Sequence, residues 1–289
     1  MGQPMALRLL HAGYPVTVWN RTASKTLRCH NHGASIATTP AAAVEHADLV
    51  ITMLENGPIV REVLSAALPG ITHEAVVVDM SSTRQSEALA LSQLLAGQGI
   101  EFVDAPVSGG VIGAEAGTLA IMVGASLSGF ERIKPVLAAL GNPTLVGGPG
   151  AGQLAKLCNQ LIVGGTLNLI AEALLLAQAG GADPAAVRQA LLGGFAGSKI
   201  LELHGQRMLE RNFMPGGQVK SQCKDMENIL AAAQDSELNL PQAALITEVY
   251  RRLLRTHPHA DHSAALLDLE DNNHPFRLGS GRDQLPENH

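Results

Sequence analysis

The sequence predicts an α/β chain, a mostly parallel sheet domain followed by an all-α domain joined by a long interdomain helix. Three observations predict it. Short apolar, β-branched runs alternate with helix-period stretches through the first half. Strand-like runs end near Gly147. From Gln153 to Gly180 one apolar helical pattern continues, roughly 40 Å at about 1.5 Å per residue.

Residues 2–10 read as the start of a helix with Met5 and Leu9 inward, and VTVW at 16–19 as a strand after a Gly-Tyr-Pro turn. Strands follow at 48–54, 75–80, 101–107 and 119–124, with helices at 59–67 and 85–96. These strands are apolar throughout, as helices on both faces require. In the second half Asp183-Pro184 supplies an N-cap and a first-turn proline for a new helix. Further helical patterns cover 199–211, 224–235 and 241–255. The expected domains are 1–149 and 150–271, with a polar, Pro-containing loose tail at 272–289.

A formal charge of −6 with no basic stripe argues against a nucleic-acid partner. The apolar stretch 157–179 is interrupted by Asn159, Asn168, Glu172 and Gln178, so a buried core helix is expected and no membrane span. Three scattered cysteines without a CxxC pair suit reduced thiols in the cytoplasm. His30 and His32, and His257, His259 and His262, lie among polar residues and read as solvated, with no metal site. The long helix carries Ala and Gly on several faces and needs more cover than one small domain offers, so a homodimer or homotetramer is expected.

Two stretches carry chemistry. In GAGQLAKLCNQ, residues 150–160, Lys156 and Asn159 stand three apart on one helix face. In DAPVSGG, residues 104–110, a Ser-Gly-Gly turn leaves a strand, and its backbone N–H groups suit a carboxylate. A proton donor and an anion cradle together suggest reactions of a small carbonyl acid. The ordinary alternatives are a surface lysine, a helix-interior amide and a structural turn. Asn20, Arg21 and Thr22 follow the strand at 16–19, where a dinucleotide-binding βαβ unit reads the adenosine ribose. An Asn-Arg pair there favours the 2′-phosphate of NADP over NAD; a plain polar turn is the alternative.

In these motifs the chain resembles the β-hydroxyacid dehydrogenases. The resemblance runs from Met1 to about Leu269 and rests on MGQPMA at 1–6, DAPVSGG, GAGQLAKLCNQ and KDM at 224–226. It implies a Rossmann-type cofactor domain, NADP or NAD as cofactor, and a small carboxylate substrate. It implies Lys156 as proton donor, with Ser108, Gly109, Gly110 and Asn159 on the substrate. It sets Gly2, Met53, Leu54, Ser82, Lys224 and Asp225 beside the cofactor, although Ser82 also suits a cap for the helix at 85 and Lys224–Asp225 a solvated pair. The stretches 183–208 and 261–267 are similar to the branch of the family that reduces tartronate semialdehyde; 3-hydroxyisobutyrate or threonate as substrate fits the same motifs. Glu55, Gly217 and residues 221–223 depart from the family pattern. Of the family's opening strand and Gly-x-Gly-x-Met-Gly turn, only Met1-Gly2 match, and the expectation is a start site lying further upstream. A non-catalytic dinucleotide- or protein-binding module is the reading of another class.

Overall fold

Three consecutive buried valines, Val76–Val78, set the character of the first half. Successive strand residues face opposite ways, so such a strand needs cover on both sides. Val76 and Val78 join an apolar cluster with Met5, Leu9, Phe130, Ile133 and Leu137. Val77 joins a second cluster with Val60, Leu64, Leu91 and Leu95. The sheet is therefore doubly wound, as its alternation of elements predicts.

The computed structural model describes residues 1–287 and divides into two units, Met1–Lys156 and a second beginning at Leu157. The division falls inside a helix, seven residues beyond the expected 149/150 boundary. The first unit opens with α1 (Gly2–His11), β1 (Thr17–Val18), α2 (Leu27–His30), β2 (Ser35–Ile36) and α3 (Pro40–Val44). It continues with β3 (Leu49–Thr52), α4 (Gly57–Ala67), β4 (Val76–Asp79), α5 (Gln85–Ala96) and β5 (Glu101–Asp104). It closes with β6 (Val107–Ser108), α6 (Gly110–Ala116), β7 (Leu119–Gly124), α7 (Leu127–Ala138) and β8 (Gly141–Gly147).

Strands β3, β4 and β5 pair in parallel, with Thr52 opposite Asp79 and Asp79 opposite Asp104. β7 pairs antiparallel with β5 and β6 and parallel with β8. The expected single strand at 101–107 is split. Pro106 has no N–H to give a ladder, so β5 ends at Asp104 and β6 restarts at Val107. β1 and β2 form a separate parallel pair, and among the described residues no strand joins that pair to the six-stranded sheet. β8, with Pro143 and three glycines nearby, has no legible strand signal and exists through its pairing with β7. Helices α2, α3, α6 and α7 also escaped the pattern, because they are short or interrupted by Gly and Pro135.

The second unit is helical: most of α8 (Ala151–Ala179), then α9 (Pro184–Leu192), α10 (Lys199–Leu209), α11 (Val219–Asp235), α12 (Pro241–Thr256) and α13 (Ala265–Asp271). Asp183 caps α9 as expected, accepting the Ala185 N–H at 2.9 Å. α8 is long and apolar enough to cross a membrane by length and composition. Its Leu167, Ile170, Ala171, Leu174 and Leu175 instead build the second unit's core with Phe213, Met226, Tyr250 and Leu266.

Over its described residues, 272–287, the expected loose tail is a docked segment; 288 and 289 lie outside the described residues. Leu278 is buried, and Gln284 pairs strand-like with the 211–213 stretch: its carbonyl accepts the Phe213 N–H and its N–H donates to the Arg211 carbonyl, each at 2.9 Å. The buried Arg211 guanidinium donates to both oxygens of Glu270 at 2.7 and 2.8 Å and to Asp283. Its charge draws a polar stretch inward, which composition alone does not reveal.

Candidate active site

α8 starts under three constraints that fix where its first turns lie. Gly150 has φ +83°, in the left-handed region that favours glycine. A Cβ on Gly152 would lie 2.4 Å from the Asp104 carbonyl and 2.5 Å from that of Met122. Glycine lets the helix approach the backbones of β5 and β7 there. The Asp104 carboxylate then accepts the Gly150 N–H at 2.7 Å and the Gln153 N–H at 2.8 Å. A carboxylate at a helix N-terminus satisfies orphan donors and meets the positive end of the dipole.

Gln153, also fully buried, ties the same turn to the loop after β4. Its Oε1 accepts the Thr83 N–H at 3.0 Å and its Nε2 donates to the Ser81 carbonyl at 2.8 Å. Ser82 lies between these two anchors. The structure thus brings the Ser82 loop and the turn of α8 preceding Lys156 together. It does not make Ser82 the cap of α5, which begins after Arg84, whose N–H donates to Glu87 at 2.8 Å.

The carboxyl ends of the parallel strands carry the remaining polar groups, as ligand-binding α/β sheets do. Thr52 donates its hydroxyl to Asp79 at 2.8 Å, and Ser81 gives Asp79 its N–H at 3.1 Å. The Leu54 N–H donates to the Ser81 hydroxyl at 2.9 Å, holding Met53–Leu54 against that loop. Burial raises the Asp79 carboxyl above its usual range and pushes Asp104 up to about 6, against the hydrogen bonds each accepts. Sequence reasoning passed over Asp104 and Gln153. Asp104 lay inside a quoted motif, but only its pairing with an approaching helix shows its role.

The Ser-Gly-Gly turn closes β6. Gly109 and Gly110 take φ of +131° and +64°, which other residues rarely adopt. α6 starts immediately, and the N–H groups of a first helical turn have no acceptor inside the helix. Ser108 pairs with Ala120 on β7, and further along β7 Gly124 packs against the Asp104 carboxylate. The turn and the start of α8 are therefore hung from the same strands.

At the β3 edge of the sheet, α1 begins at Gly2, where an added Cβ would be 3.6 Å from that of Met53. No acidic side chain occupies its first turn, which suits a phosphate. Asn20 closes a local turn by accepting the Thr22 N–H at 2.9 Å, leaving Arg21 exposed. The residues present fit a dinucleotide: a helix N-terminus beside the end of β3, and an exposed guanidinium after β1.

In the second unit, Asn159 donates from Nδ2 to Gln160 Oε1 at 2.9 Å, and Gln160 Nε2 donates to Asp225 at 2.7 Å. Lys224 stands 3.3 Å from the same carboxylate. Asp225 is buried, so the pair is not simply solvated. Gln160 has little claim from sequence, yet it links Asn159 on α8 to α11.

The histidine expectation needs one correction. His262 is half-buried, its Nε2 3.4 Å from that of His204. His204, Asp261 and His262 are close enough together to suggest ligands. Asp261, however, accepts N–H groups from Gly216, Gly217 and Ser263, each at 3.0 Å. The Arg207 guanidinium lies 3.7 Å from it, so the cluster anchors the 214–218 loop.

Residues 1–148 match the family described as the NAD binding domain of 6-phosphogluconate dehydrogenase. Residues 150–269 match the NAD-binding family of NADP-dependent 3-hydroxyisobutyrate dehydrogenase. The chain is 42% identical over 281 residues to 2-hydroxy-3-oxopropionate reductase of Escherichia coli K12, covering 93% of this chain and 94% of that one. It is 34% identical over 280 residues to 3-hydroxyisobutyrate dehydrogenase of Pseudomonas aeruginosa, covering 93% of each. Among solved structures, Mycobacterium tuberculosis 3-hydroxyisobutyrate dehydrogenase with L-serine superposes with TM-score 0.84 at 28% identity, over 93% of this chain and 95% of that one. With both halves matched in order and the doubly wound sheet and helical unit in place, the chain belongs to the 3-hydroxyisobutyrate dehydrogenase-type β-hydroxyacid dehydrogenases, NAD(P)-dependent oxidoreductases of hydroxyacids.

Proposed function

We propose that the protein interconverts tartronate semialdehyde (2-hydroxy-3-oxopropanoate) and D-glycerate, with NADPH favoured over NADH. The observation that carries this reading is Lys156, held one helical turn beyond the Asp104–Gln153 clamp, in a chain 42% identical to a 2-hydroxy-3-oxopropionate reductase. The nicotinamide supplies the hydride. Lys156 gives a proton to the substrate carbonyl oxygen as it gains charge, and the ammonium stabilises the growing alkoxide. Ser108 and the backbone N–H groups of Gly109 and Gly110 hold the substrate carboxylate. Asn159, one turn beyond Lys156, orients the substrate. Gly2, Asn20, Thr22, Met53, Leu54, Ser82 and Lys224 line the cofactor, with Arg21 on the 2′-phosphate, and Asp225 supports Lys224.

The enzyme works in the cytoplasm as a homodimer or homotetramer; exposed Ile162, Leu169 and Leu176, seven residues apart on α8, support association. The test is NADPH and NADH oxidation with tartronate semialdehyde, 2-methyl-3-oxopropanoate and the oxidised form of threonate. Turnover is expected to be highest with tartronate semialdehyde and NADPH. Lys156→Ala lowers kcat by about 10²–10⁴-fold with the fold intact by circular dichroism. Higher kcat/KM on either other acid replaces the substrate assignment.

A further inference from the structure

We infer that Gln160 and Asp225 are positioning residues that fix which end of the Asn159 amide meets the substrate, and so select acids with a hydroxyl beside the reacting carbonyl. The inference rests on the proposed reaction and extends it to the choice of substrate.

Side-chain amides can face either way, and only their neighbours decide between oxygen and nitrogen. Here two acceptor-only groups decide for the whole set. The Asp225 carboxylate accepts and cannot donate, so the end of Gln160 that lies 2.7 Å away is its NH₂. That turns Gln160 Oε1 toward Asn159, 2.9 Å away. An amide oxygen only accepts, so the end of Asn159 facing it is Nδ2.

Gln222 reaches the same answer independently. Its Nε2 donates to the Gln160 backbone carbonyl at 3.1 Å, another group that only accepts. Its Oε1 is then the end that receives the Gln160 NH₂ at 3.3 Å. Gln222 and Asp225 are both buried, so water does not readily exchange for these partners. Lys224, 3.3 Å from Asp225, complements the charge at the end of the chain.

The consequence falls on Asn159 Oδ1, which is directed away from Gln160 as a hydrogen-bond acceptor. The carbonyl oxygen of a 3-oxo acid is also an acceptor and cannot satisfy it. A hydroxyl hydrogen on the neighbouring carbon can. A 2-hydroxy-3-oxo acid supplies that hydrogen, and a 2-methyl-3-oxo acid leaves the oxygen unpaired. Sites built to bond a hydroxyl discriminate strongly against analogues lacking it.

The test compares kcat/KM for tartronate semialdehyde and 2-methyl-3-oxopropanoate in the full chain and in the Gln160→Met and Asp225→Asn variants. Gln160→Met removes the link at similar volume. Asp225→Asn restores the ambiguity, because an amide there can donate as well as accept. The expected result is a fall of at least ~10-fold in the hydroxy-to-methyl ratio in both variants, carried by KM for the hydroxy acid, while in Gln160→Met kcat/KM on the methyl acid changes by less than about threefold. A purely structural role moves both acids together. If the ratio stays unchanged in both variants while the parent chain remains active, the positioning role is wrong and the reaction assignment stands. If the parent chain turns over neither acid, the reaction assignment fails and takes this inference with it.

Discussion

Asp79 and Asp104 stand opposite each other at the ends of adjacent strands, both buried; burial raises the Asp104 carboxyl, and the charge on Asp79 adds to the rise. Asp104 holds its proton up to about pH 6 when folded, whereas an unfolded aspartate releases it near 4. Between those values the folded chain binds more protons than the unfolded one. Stability from this group therefore falls as pH rises from 4 to 6, by an upper bound of about 3 kcal/mol. Asp104→Asn should remove that part of the slope in urea unfolding compared at pH 4.5 and pH 7. It should also lower stability at pH 7 by about 1–3 kcal/mol, because an amide NH₂ would face one of the N–H groups that the carboxylate now accepts. Asp261 acts with the opposite sign. Its neighbouring residues His204, His262 and Ser263 hold its carboxyl well below the usual range despite burial. Its contribution is present at neutral pH and is lost on acidification through that lowered value.

Among the elements, α8 and the C-terminal segment show how single side chains decide where whole stretches lie. Gln153 and Asp104 hold the first turn of α8, so shortening Gln153 should affect Lys156 without touching it. Gln153→Ala is expected to lower kcat by about 10-fold or more with a smaller change in substrate KM, measured by steady-state NADPH oxidation. The C-terminal segment depends on Arg211, a nearly inaccessible guanidinium clasped by Glu270 and Asp283. Glu270→Gln breaks a buried pair and leaves its partner short of charge. The expected loss is about 3–5 kcal/mol in chemical denaturation, with residues 276–285 becoming sensitive to protease. The sequence of this segment, rich in Asn, Gly and Arg, reads as a tail because its anchors are distant: Arg211 lies 67 and 72 residues from its partners Leu278 and Asp283, and Gln178 lies 99 and 101 residues from Arg277 and Gly279.

For the whole molecule, two exposed features lead to measurable expectations. Ile162, Leu169 and Leu176 are each about two-thirds or more exposed and share one stripe of α8. Large apolar side chains in register on one helix face mark an association surface. Leu169→Glu with Ile162→Glu should abolish the proposed association, read as a monomeric mass in sedimentation at micromolar concentration. The other feature is the sheet. β3 pairs only with β4, and no strand among the described residues connects it to the β1–β2 pair. A chain lengthened at its N terminus by an apolar strand and a Gly-x-Gly turn should gain a partner for the β3 edge and a closer seat for the pyrophosphate. We expect its Kd for NADPH, measured by fluorescence titration, to fall by at least ~10-fold relative to the 289-residue chain.

Much of the architecture was legible because local chemistry decides it. Valine runs announce strands covered on both faces, Asp183-Pro184 announces a helix start, and α5 matches its predicted span of 85–96. The residues proposed to carry chemistry come from the string as well, since a lysine and an amide one turn apart share a helix face wherever that helix is placed. The parts decided only by tertiary structure depend on partners far apart in sequence. Asp104 becomes a helix cap only when α8 reaches it, 46 residues later. Gln160 becomes the hub beside Asn159 only when α11 presents Gln222 and Asp225, more than 60 residues on. Side-chain polarity and helix period act over a few residues and can be read from the string. Which buried donor meets which buried acceptor is settled only when the chain closes on itself.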